Sequence, residues 1–116
     1  MSEHIDVNGL LNLSGNDREF VAEILKLYIQ KTNSDIRELG NAAGEENWKS
    51  VAFILHRMRS SATPLGLVEL QKNLKALEID LKDHNTSDAD NRLNHIIDRV
   101  KTAQKSAENQ LQQLLD

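Results

Sequence analysis

A chain of 116 residues has room for one hydrophobic core and not for two domains, so residues 1–116 are read as a single unit. Its composition, 39% hydrophobic and 28% charged with one proline, five glycines and few aromatics, favours helix formers over strand formers and points to an all-α fold. No cysteine is present for disulfide or thiolate chemistry, no apolar run approaches a membrane span, and a formal charge of −4 without a basic stripe argues against nucleic acid.

Apolar periodicity and its punctuation divide the chain into a short lead-in and four long helices. Val7 to Leu13 follows Asp6 as a candidate N-cap, closes at Ser14-Gly15, and is expected to cover one end of the core. The first long helix starts at Asn16 or Asp17 and carries Val21, Leu25, Tyr28, Thr32, Ile36, Leu39 and Ala43 on one stripe, with Gly40 and Gly44 marking where it frays and stops. The second is capped by Asn47, carries Trp48, Val51, Leu55, Met58, Ala62 and Leu65, and ends around Pro64 to Gly66. Leu67, Leu70, Leu74, Leu77 and Leu81 alternate spacings of three and four, the seam of near-antiparallel packing, before the polar loop from Asp83 to Ser87. The fourth is expected to use Ser87-Asp88-Ala89-Asp90 as its cap. Its apolar face runs from Leu93 through Ile96, Ile97, Val100, Ala103, Ala107 and Leu111 to Leu114 and Leu115, and the whole helix is expected to span about 40 Å. Short connections between amphipathic helices make the expected architecture an antiparallel up-down-up-down four-helix bundle with a short N-terminal lead-in helix.

Of the four histidines, His4 falls in a terminus, His84 in a polar loop and His95 beside an apolar stripe, so these three read as solvated, and no metal site is expected from them. His56 points away from the core stripe of its helix, with Ala52, Arg59, Ser60 and Thr63 near it on the same outer face. Phe53, a large aromatic on or beside that face, suggests a docking patch together with Ala52 and Thr63.

The run His56-Arg57-Met58-Arg59-Ser60-Ser61-Ala62-Thr63-Pro64-Leu65-Gly66-Leu67, with Leu77-Glu78 further on, resembles the histidine-containing phosphotransfer (HPt) domain of multistep two-component phosphorelays. Met58, Ser61, Ala62, Leu65, Gly66, Leu77 and Glu78 occupy places of the family pattern, and the likeness extends from about residue 6 to residue 82. Arg59 stands where the family carries lysine, keeping the charge and adding planar, bidentate phosphate geometry. Ser60 stands where it carries glycine, adding a Cβ and a hydroxyl able to donate to a phosphoryl oxygen.

The resemblance implies a phosphoryl carrier and not an enzyme in its own right. His56 would accept the group from a receiver-domain aspartate and pass it to another receiver. Arg59 would stabilise the phosphoryl charge with Ser60 adjacent, and Glu78, on a flanking position of the next helix, would hold the second ring nitrogen. Which nitrogen is phosphorylated is left open. The chain has no Gly-rich phosphate loop, Walker sequence or kinase signature with which to bind a nucleotide. No cofactor is expected on this chain; Mg²⁺ is expected on the partner receiver. The implied partners are response-regulator receiver domains and a hybrid sensor histidine kinase, whether as a separate protein or as the parent chain. A cytoplasmic location without membrane insertion is expected. The alternative is a non-catalytic helical adaptor that binds receivers without phosphotransfer. A ligand- or metal-binding bundle is disfavoured because the stripes hold almost no polar residues.

Overall fold

The computed structural model describes residues 4–116. Its helices are α1 (Val7–Leu13), α2 (Arg18–Gly44), α3 (Trp48–Ala62), α4 (Val68–Lys82) and α5 (Ala89–Leu115), with a 3₁₀ turn at Thr63–Leu65 between α3 and α4. The described residues contain no strand. Helix α3 packs on α2 and α4, and α5 packs on the same two, so the long helices close a ring around one core. Partners run in opposite directions along α2 and α5: Arg18 Nη2 donates to the Leu114 carbonyl at 2.9 Å, while Gln104 Nε2 donates to Thr32 Oγ1 at 2.7 Å. The same reversal holds across α3 and α4, where His56 meets Glu78 and Thr63 meets Gln71. The 45 Å long dimension matches 27-residue helices rising about 1.5 Å per residue.

Side-chain caps start α1, α2 and α3. Asp6, Asp17 and Asn47 accept from the backbone N–H groups of Gly9, Phe20 and Ser50, satisfying donors that a helix start leaves without partners. Helix α5 starts inside the expected Ser87-Asp88-Ala89-Asp90 run, with Asp88 at the N-cap and Asp90 in the first turn, but no side chain caps it. Asp88 sits in the left-handed region at φ 59, and its carboxylate accepts from the Asn91 side-chain amide at 2.7 Å instead of from the backbone. Nor does α2 fray at Gly40, where a Cβ would meet open space; the helix continues to Gly44.

Leu25, Leu55, Leu74 and Leu77 are fully buried at the centre of the bundle. Truncating one of them to alanine would cost about 2–5 kcal/mol. The buried stripes are broader and more polar than the spacing suggests, because each long helix touches two neighbours. Asp35 and Ala42 are buried beside the expected positions on α2, while Ile36 and Ala43 are half-buried. Gln104 is buried on α5, satisfied by Thr32 and by Asn33 Oδ1 at 2.9 Å. Leu115 is exposed, against expectation, because it lies at the last turn of α5.

The lead-in helix closes one end of the core as expected. Ile5 and Leu10 are buried, and the Asp6 N–H donates to the Leu65 carbonyl at 3.2 Å. Gly66, at φ 70, makes the left-handed turn that joins the 3₁₀ segment to α4.

Candidate functional site

Burying Val51, Leu55, Met58 and Ala62 fixes the rotation of α3 about its axis and leaves His56 outside the core, on the flank facing α4. Its side chain is 55% exposed, while that of Glu78, reaching it from α4, is 4% exposed. Nδ1 of His56 lies 3.1 Å from Glu78 Oε2 and 3.0 Å from Arg59 Nη2, one helical turn away. Arg59 Nη2 is also 3.4 Å from Glu78 Oε1, an ion-pair distance without hydrogen-bond geometry. Lys82 Nζ donates to Glu78 Oε2 at 2.8 Å. Burial opposes the charge on Glu78, but the hydrogen bonds to Lys82 and His56 and the nearby Arg59 charge outweigh it and hold this carboxyl below the ordinary glutamate range.

The remaining expected residues fall unevenly. Ser60 is exposed, and its hydroxyl turns back to donate to the His56 carbonyl at 3.4 Å, so it does not cover the imidazole. Thr63 is exposed and donates to the Arg59 carbonyl at 3.0 Å. Phe53 is 67% exposed. Ala52, expected on the outer face, is buried: it forms part of the floor of a groove between α3 and α4, where the second neighbouring helix widens the covered side of α3. Trp48, Leu81 and Phe53 also line this groove, with Lys49, Lys82 and His84 among its polar residues, and it encloses about 580 Å³ leading to His56. His4, His84 and His95 are exposed.

Lys82 is a site residue that sequence reasoning missed, although a glutamate followed four positions later by lysine is the favourable order for a helical ion pair. The other omission lies on the opposite flank of α3. Arg57 Nη2 donates to Asp35 Oδ1 at 2.6 Å and to Glu38 Oε2 at 2.8 Å, tying α3 to α2. Burial pushes the Asp35 carboxyl up, against the hydrogen bond and charge of Arg57, and its Oδ2 has no hydrogen-bond partner. The spacing shared by Asp35 and Glu38, three apart on α2, was the available signal.

An imidazole with Nδ1 contacted by an ionised carboxylate and a cation, and with its body open to solvent, can offer Nε2 as a nucleophile beside a charge that suits an anion. Residues 23–116 match the family model described as the Hpt domain. No curated protein matches the chain. Among solved structures, the HPT domain from the Hpt sensor hybrid histidine kinase from Shewanella superposes with a TM-score of 0.81 at 14% identity, over 97% of each chain, a likeness of fold.

Proposed function

From the premise that the chain belongs to the Hpt domain family, whose members act in histidine phosphotransfer within two-component phosphorelays, we propose that His56 is its phosphoacceptor and Nε2 the reacting nitrogen. The observation carrying this reading is the pairing of an exposed imidazole with the buried Glu78 carboxylate at Nδ1. With the ring proton on Nδ1 and donated to Glu78, the lone pair of Nε2 attacks the phosphorus of a receiver aspartyl phosphate. The bond from phosphorus to the aspartate oxygen breaks, its electron pair leaves on that carboxylate, and the positive charge acquired by the ring faces Glu78. Arg59, a turn away, then holds the phosphoryl oxygens. The chain is a carrier in this scheme; the receiver contributes Mg²⁺ and most of the catalytic apparatus.

The groove beside His56 joins exposed Phe53 to the cations Lys49 and Lys82, a surface suited to the acidic phosphorylation pocket of a receiver. A receiver, and a hybrid kinase upstream of it, are the proposed partners, in the cytoplasm. No described helix is long and apolar enough to cross a membrane.

Incubation with a ³²P-labelled receiver is expected to give acid-labile, base-stable label on the wild type and none on His56→Gln. Binding of receivers without any label on His56 would instead establish the adaptor.

A further inference from the structure

Arg59 and Glu78 make opposite demands on one atom. A neutral imidazole has a single N–H. If the proton is on Nδ1, it serves Glu78 Oε2 at 3.1 Å but confronts the Arg59 N–H at 3.0 Å. If it is on Nε2, Nδ1 accepts from Arg59 and turns its lone pair toward the carboxylate. A guanidinium has no acceptor and an ionised carboxylate no donor, so neither neighbour can adapt.

The two demands are unequal. Lys82 already supplies Oε2 with a donor at 2.8 Å, whichever tautomer the ring adopts. Arg59, by contrast, has Nδ1 as its partner at hydrogen-bond distance, an acceptor only when the proton is on Nε2, and its 3.4 Å approach to Glu78 Oε1 lacks hydrogen-bond geometry. Resting on the reading of His56 as phosphoacceptor, we propose that Arg59 is a tautomer selector: undisturbed, it keeps the proton on Nε2 and the ring unreactive, and an arriving phosphoryl anion draws it off and frees the nucleophile.

With the guanidinium on the phosphoryl oxygens, Nδ1 takes a proton and Nε2 gives one up by exchange with the water around this half-exposed ring. Nδ1–H is then held by Glu78, and Nε2 carries the lone pair that attacks phosphorus. One side chain thereby couples the presence of an anionic donor to activation of the base. Encounters that bring no such anion leave His56 in its unreactive form.

The tautomer is read directly by long-range ¹H–¹⁵N NMR of the isolated protein, with the pH raised until the ring nitrogen shifts no longer move. The wild type is expected in the Nε2–H form. Arg59→Met is expected to move Nδ1 to the protonated and Nε2 to the unprotonated nitrogen position, and adding Glu78→Gln to reverse that shift. Diethyl pyrocarbonate, a neutral acylating agent attacked by the free ring nitrogen, should modify His56 several-fold faster in Arg59→Met than in the wild type. Rates are normalised to His4, His84 and His95 of the same molecule by peptide mass spectrometry, and circular dichroism checks the fold. Transfer from an aspartyl-phosphate receiver should fall in the same variant. An unchanged tautomer, or slower acylation, in folded Arg59→Met overturns the selector. A tautomer shift without label on His56 from any receiver would leave the selector standing and remove the carrier reading.

Discussion

Two buried carboxylates flank α3, and adjacent residues of that helix meet them: His56 meets Glu78 of α4, and Arg57 meets Asp35 of α2. Their environments differ in sign. Glu78 collects Lys82, His56 and Arg59, and stays below the ordinary glutamate range despite its burial. Asp35 has Arg57 as its hydrogen-bonded cation, shares it with Glu38, and is pushed up by burial. The Arg57 guanidinium is occupied by two carboxylates, whereas the His56 ring keeps a nitrogen for a second molecule. The α2 flank therefore sets the position of α3, and the α4 flank carries the proposed chemistry.

Arg57→Leu should produce the larger stability change of the two flanks if this division holds. Breaking a buried pair commonly costs about 3–5 kcal/mol, but Arg57 is 41% exposed and Asp35 can take up a proton, so a loss of roughly 2 kcal/mol is expected. Urea denaturation would show a lower midpoint at unchanged slope, while the folded fraction still accepts phosphoryl groups within about twofold of the wild-type rate. Glu78→Gln is expected to do the reverse. Losing the charge that faces the developing positive ring should slow transfer about tenfold, equivalent to about 1.4 kcal/mol, and lower the midpoint at neutral pH by less than Arg57→Leu does. A large stability loss in Glu78→Gln, or a large transfer loss in Arg57→Leu, would erase the distinction between the flanks.

Acid titration sharpens it further, because the two carboxyls contribute opposite slopes. The folded state binds fewer protons than the unfolded at Glu78, so its contribution is present above the unfolded value of 4.5 and lost as pH falls through the lower folded value. At Asp35 the folded state binds more, so acidification between the raised folded value and 3.8 adds stability. Glu78→Gln should make the acid limb of a stability profile shallower, and Asp35→Asn should make it steeper. Parallel profiles for both variants would contradict the opposed environments.

The helices were legible because their caps and apolar spacings are local: Asp6, Asp17 and Asn47 sit where a helix must begin. His56 was legible as the residue its stripe leaves out. Ala52, Asp35 and Gln104 were not, since whether a flanking position is buried depends on where the second neighbouring helix lies, and one helix's periodicity carries no such information. Asp88 stands at the expected N-cap but makes no cap bond, because its backbone is left-handed where a capping residue is usually extended, which spacing does not reveal. Lys82 lay four residues from Glu78, yet its part in the site follows only once α4 is docked against α3.

Ser60 supplies the smallest expected effect and the finest test of which surface a partner needs open. Its hydroxyl bonds back to the helix at the His56 carbonyl, one turn earlier, so what it adds at the surface is a Cβ and not a donor aimed at the imidazole. Ser60→Gly should leave the transfer rate within about twofold and lower helix stability by roughly 0.5 kcal/mol, the difference between serine and glycine propensities. Both are measurable from labelled-transfer time courses and thermal midpoints. A transfer rate rising tenfold or more would mean that this Cβ obstructs the partner, and that accessibility of His56 is set along α3 as well as by its two flanks.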